Sequence, residues 1–213
     1  MCSSDLIEVK AETEIDIEAE REIEANSELI ITPGTQGALF LALGSTVNAG
    51  TKVAVVEPDY FANRKLVKFF GGEILPIPLN YKNAQSENSP DLNRIEDAFK
   101  DGAKVLVFST PNNPTGLVYS NTTITRIADL AEIHDVTVIV DQLYSRMLYS
   151  GEVYTHLRSC NIRPENLITI MGPSKTESLS GFRLGVAFGS QQHQDAPLDT
   201  NDSGNVYDGG SLG

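Results

Sequence analysis

Four short segments of this 213-residue chain carry side chains suited to chemistry. Lys175 lies in Gly172-Pro173-Ser174-Lys175-Thr176-Glu177-Ser178, directly after an apolar run. An amine at the end of a buried strand can lose its proton through desolvation or a neighbouring cation, and then attacks carbonyl carbons. Most lysines are simply solvated. Eight residues on, Arg183 offers a guanidinium for a bidentate bond to phosphate. Asp141 closes the apolar run Val136–Val140, with Tyr144 three residues later. A carboxylate there either caps the next segment or stays as an anion awaiting a cation such as a protonated ring nitrogen. Ser109-Thr110-Pro111-Asn112-Asn113-Pro114-Thr115-Gly116 is either a rigid turn or a stiff frame that projects an amide side chain. Pro33-Gly34-Thr35-Gln36 runs into a helix. It is either a plain connection or a phosphate site built from free N–H groups and small residues. Together, an amine for an aldehyde, a carboxylate for a pyridine nitrogen and donors for phosphate describe one ligand, pyridoxal 5'-phosphate.

The elements that must position these groups follow from periodicity. Leu29–Thr32, Lys52–Val56, Lys104–Phe108, Val136–Val140, Leu167–Met171 and Leu184–Phe188 are apolar runs of strand length. Gly37–Val47, Phe61–Phe70 and Thr122–Ile133 are predicted helices; the last carries Ile124, Ile127, Ala128 and Ala131 on one face. Ile74–Leu79 is a proline-interrupted extended run. Ser89-Pro90 predicts the cap and first turn of a further helix bearing Leu92, Ile95 and Phe99. Strands alternating with helices predict an α/β fold, a mainly parallel sheet flanked by helices. Such sheets bind ligands beyond the carboxyl ends of their strands, where the four polar segments fall.

Composition narrows the function classes. The chain is 40% hydrophobic with a formal net charge of -13, which argues against nucleic acid or an anionic membrane as the main partner. Residues 1–30 carry a net of -8 and residues 191–213 a net of -4, so residues 31–190 are near neutral. Ile7–Ala25 alternates apolar and charged residues and reads as a solvated arm, while 191–213 reads as a disordered tail. No apolar run reaches the length of a membrane span, and no signal peptide opens the chain. Cys2 and Cys160, far apart in sequence, fit a reducing, cytoplasmic setting. His134, His156 and His193 have no metal-site spacing, and Arg146 and Arg158 read as surface ion-pair partners.

In this order, ITPGTQGALFLAL, STPNNPTG, VIVDQLYSRMLY and GPSKTESLSGFRLGVAFG resemble the large domain of class I/II aminotransferases. These are aspartate aminotransferase-like, fold-type I pyridoxal phosphate-dependent enzymes. The likeness spans residues 27–190, with residues 1–26 and 191–213 outside it. The resemblance implies that Lys175 is the Schiff-base lysine and proton shuttle, and that Asp141 keeps the pyridine nitrogen protonated. It implies that Tyr144 and Asn113 hydrogen-bond the ring oxygen and that Tyr60 stacks on the ring. Thr35, Gln36, Ser174 and Arg183 would hold the phosphate. The family commonly has a hydroxyl residue three positions before the lysine; here it is Gly172. The implied reaction transfers an amino group between an amino acid and a 2-oxo acid, in a full-length homodimer. A lyase of the same fold and a non-catalytic fragment are the alternatives. The family's smaller C-terminal domain, with its arginine for the substrate carboxylate, is not recognisable here, so the expectation is the large-domain core of a longer enzyme.

Overall fold

The computed structural model describes residues 29–82 and 88–190. The acidic arm and the proposed tail lie outside the described residues. Strand β1 (Leu29–Pro33) leads into α1 (Thr35–Thr46), and β2 (Lys52–Glu57) into α2 (Phe61–Phe69). Then come β3 (Glu73–Asn80), the two-residue β4 (Ser89–Pro90) and α3 (Leu92–Lys100). β5 (Val105–Ser109) leads into α4 (Asn121–His134). β6 (Thr137–Asp141) reaches β7 (Leu167–Met171) through a long connection, and the short α5 (Pro173–Thr176) precedes β8 (Leu184–Phe188).

These strands form one sheet in the order β1-β8-β7-β6-β5-β2-β3-β4. The central pairs β3–β2, β2–β5, β5–β6 and β6–β7 are parallel. β8 runs antiparallel to both β7 and β1. The start of β8 therefore lies at the edge where β1 and β7 end. The α/β class and the mainly parallel sheet follow the sequence expectation.

Period-two alternation builds two cores. Along β5, Val105 and Val107 pack with Leu39 and Leu43 of α1 and Val67 of α2, while Leu106 and Phe108 pack with Ile95 and Phe99 of α3 and Ile124 and Ile127 of α4. A strand covered on both faces reads as an unbroken apolar run, as β5 does.

Two local readings change. Helix α1 begins at Thr35, two residues earlier than expected, because Gly34 at φ 80° makes the turn and forms the N-cap position. Ser89-Pro90 is a strand segment paired antiparallel with Leu79 and Asn80, not a helix start. The α3 cap is Asp91, whose carboxylate accepts from the Arg94 N–H at 3.1 Å. The prolines of β3 are tolerated because β2 pairs with one side of that strand and only the short β4 touches the other.

Candidate active site

The chain leaves β2 for β3 on one side and leaves β5 for β6 on the other, so a crevice opens beyond the ends of β2 and β5. Asp59 bridges it. Its Oδ1 accepts from the Tyr60 N–H at 2.6 Å, Ser109 Oγ at 2.7 Å and Asn63 Nδ2 at 3.2 Å. Its Oδ2 accepts from the Ser109 N–H at 2.8 Å and Asn112 Nδ2 at 3.0 Å. Burial pushes this carboxyl up to about 7, against the bonds from Ser109 and Tyr60 that pull it down. Asp59 is absent from the sequence-based candidates. Glu57, not Asp59, closes the apolar strand β2, so the strand-end signal that marks Asp141 falls two residues short of Asp59.

Beside this bridge lie the residues expected to face a ring. Tyr60 donates its hydroxyl to Gln36 Oε1 at 3.0 Å, joining the start of α1 to the start of α2. The Tyr144 phenol is raised above its ordinary range by burial first, then by the nearby Asp141 and Tyr60. Asn113 and Tyr144 line one open pocket with Pro111, Gly116 and Met147. Asn113 is held by its backbone, whose N–H donates to Ser109 Oγ at 3.1 Å. Asp141 is half-buried and accepts from the Leu143 N–H at 3.0 Å. The residues after it form turns rather than a helix, so that bond closes a turn and does not cap a helix. Burial pushes the Asp141 carboxyl up to about 6, and it has no cationic partner among the described residues.

The expected anion side is built by close backbone approach. A Cβ on Gly185 would lie 2.3 Å from the Gly34 carbonyl carbon and 2.4 Å from Thr35 N, so β8 runs hard against the start of α1. A Cβ on Gly34 would lie 2.5 Å from Arg183 Nη2, which places the guanidinium over that turn. Arg183 also donates from Nη1 to the Ser180 carbonyl at 3.0 Å. Helix α1 has no side-chain cap and no acidic residue in its first turn, which leaves first-turn N–H groups for a ligand. A Cβ on Gly172 would lie 2.8 Å from Thr35 Cγ2, so the residue standing where the family carries a hydroxyl has no room for one. Ser174 is half-buried on α5, beside this contact.

Lys175 sits on α5 at the same sheet edge, past the end of β7. It is exposed, and it has no hydrogen bond to the other site residues among those described. The burial expected to activate it is therefore not supplied here. Its helix is fastened from the side: Arg146 pairs with Glu177 and donates to Thr176 Oγ1 at 3.2 Å. Arg146 is thus an ion-pair residue, as its sequence suggested, and it ties the loop after β6 to α5. Among the described residues, no group of three or more His, Cys, Asp or Glu could hold a metal ion. No described helix is long and apolar enough to cross a membrane.

Residues 16–208 match the family model for aminotransferase class I and II. The chain is 32% identical over 166 residues to the aspartate/prephenate aminotransferase of Thermus thermophilus, covering 78% of this chain and 41% of that protein. It is 29% identical over 190 residues to human kynurenine–oxoglutarate transaminase 3, covering 86% and 42%. A crystal structure of an aspartate aminotransferase from Rhodobacter sphaeroides superposes with a TM-score of 0.79 at 59% identity, covering 81% of this chain and 45% of that one. The chain spans less than half the length of these relatives.

Proposed function

The chain belongs to the class I and II aminotransferases, and on that premise we propose that it forms the pyridoxal phosphate-binding domain, residues 27–190, of an enzyme moving an amino group from an amino acid to a 2-oxo acid. The observation that carries the reading is a pairing on one sheet edge. Asp141 presents a desolvated carboxyl with no cationic partner among the described residues, and the uncapped start of α1 lies under the Arg183 guanidinium. These fit the two charged ends of the cofactor, a protonated pyridine nitrogen and a phosphate.

When bound, the cofactor supplies an aldehyde for exchange with amines and a ring that takes up the electron pair left at the substrate Cα. The chain's own residues do the rest. Asp141 would hold the proton on the ring nitrogen. Tyr144 and Asn113 would donate to the ring oxygen, and Tyr60, tethered through Gln36, would cover the ring. Thr35, Gln36, Ser174 and Arg183 would hold the phosphate. Lys175 would hold the cofactor through its amine and move the proton at the substrate Cα. We place the active protein in the cytoplasm as a homodimer. The aromatic edge formed by Phe40, Phe69 and Phe70, with Phe69 exposed, supports a covered face.

The test is an assay of the protein carrying this chain, loaded with pyridoxal phosphate and offered amino-acid donors with or without a 2-oxo acid acceptor. Oxo acid formed beyond one equivalent per site only when acceptor is present is the expected outcome, and Lys175→Ala is expected to cost about a thousandfold or more in rate. Pyruvate released from a sulfur amino acid without acceptor would mean lyase chemistry instead.

A further inference from the structure

The two walls expected to contact the ring come from different connections. Tyr60 follows β2, and Asn113 follows β5. One carboxylate joins them. Asp59 takes the Tyr60 N–H directly and both donors of Ser109, and Ser109 Oγ in turn takes the Asn113 N–H. Asp59 also takes Asn112 Nδ2, and Asn112 Oδ1 accepts from the Thr115 hydroxyl at 2.7 Å and the Thr115 N–H at 3.2 Å, closing the PNNPT turn on itself. We propose that Asp59 is a positioning residue that fixes Tyr60 and Asn113 in one frame at the mouth of the crevice. This rests on the reading of that crevice as the pyridoxal phosphate site.

The chemistry is specific to a carboxylate. Above its titration near pH 7 Asp59 is an ionised carboxylate that offers acceptors on both oxygens, and five donors converge here, three on Oδ1 and two on Oδ2. An asparagine turns one of those oxygens into a donor. At least two N–H or O–H groups then face another donor, and a half-satisfied buried network lets go of its members.

Asp59→Asn, made in the full chain, tests this, with Ser109→Ala as a second variant should the first fail to fold. Ser109→Ala removes the single hydroxyl that links Asp59 to Asn113. Each variant is expected to weaken pyridoxal phosphate binding about tenfold. In a Tyr60→Ala/Asn113→Ala background the same change should matter less than twofold, because the groups it positions are gone. Without cofactor, amide hydrogen exchange should rise at Tyr60 and Asn113 in Asp59→Asn, and at Asn113 in Ser109→Ala, while staying slow at Ile124 and Ile127 in α4. An equal loss of binding in both backgrounds, or unchanged exchange at Asn113, overturns the proposal. If the unmutated chain binds no pyridoxal phosphate while the exchange effect is present, the site reading fails and the positioning role stands.

Discussion

Asp141→Asn is expected to make the ligand-free protein more stable and the cofactor complex weaker. Burial pushes this carboxyl from 3.8 up to about 6, so the folded chain binds the proton more tightly than the unfolded chain. The unfolded chain loses its proton first as pH rises. Stability therefore falls between pH 4 and 6 and stays lowered above that, by about 3 kcal/mol. Asparagine keeps an oxygen for the Leu143 N–H and removes the charge. At pH 8 its thermal midpoint should exceed that of the unmutated chain by on the order of 5–10 °C, with the difference vanishing below about pH 4. With pyridoxal phosphate the sign reverses, because removing one partner of a buried ion pair costs about 3–5 kcal/mol. Binding should weaken a hundredfold or more. Thermal melts across pH, with and without cofactor, read both effects. Equal midpoints at pH 8 would show that the carboxylate is not desolvated.

The second large effect comes from a glycine. In Gly185→Ala the new methyl would lie 2.3 Å from the Gly34 carbonyl carbon, 2.4 Å from Thr35 N and 2.6 Å from the Gly34 oxygen. All three are backbone atoms, so no side chain can swing aside. Either β8 leaves the sheet edge or the start of α1 moves. Overpacking of this kind costs about 1–3 kcal/mol or more. Denaturant unfolding should show that loss, and phosphate-dependent cofactor binding should fall with it. Gly181→Ala is the control: its methyl would meet nothing within 4 Å, so its stability should change by less than about 0.5 kcal/mol. Matching unfolding curves for the Gly185 variant and the unmutated chain would contradict the close approach of β8 to α1.

What could be read in the residues divides by physical cause. Asp141, Tyr144, Asn113 and Lys175 stand out because parallel strands all expose their carboxyl ends on one edge, and each follows an apolar run. The sheet itself was legible because its central strands, buried on both faces, form unbroken apolar stretches. Asp59 lies two residues past such a run, yet its role depends on Ser109, fifty residues away, and no local pattern reports that pairing. Ser89-Pro90 fits a helix start and an edge strand equally well. The hydrogen bonds decided it, since Asp91 supplies the cap. The glycine contacts at Gly34, Gly172 and Gly185 arise where β8 turns back antiparallel and brings its start to the site, a reversal the strand patterns do not encode. The exposure of Lys175 is likewise a tertiary property, because α5 has no layer over it among the described residues.

One measurement bears most directly on the central claim. The chain is incubated with pyridoxal phosphate, reduced with borohydride, digested, and its phosphopyridoxyl label mapped by mass spectrometry. The expected result is a label concentrated on the peptide containing Lys175 and lost in Lys175→Ala. A label spread evenly over Lys175 and the exposed Lys65, Lys68 and Lys100, unchanged in pattern when Lys175 is replaced, would contradict it.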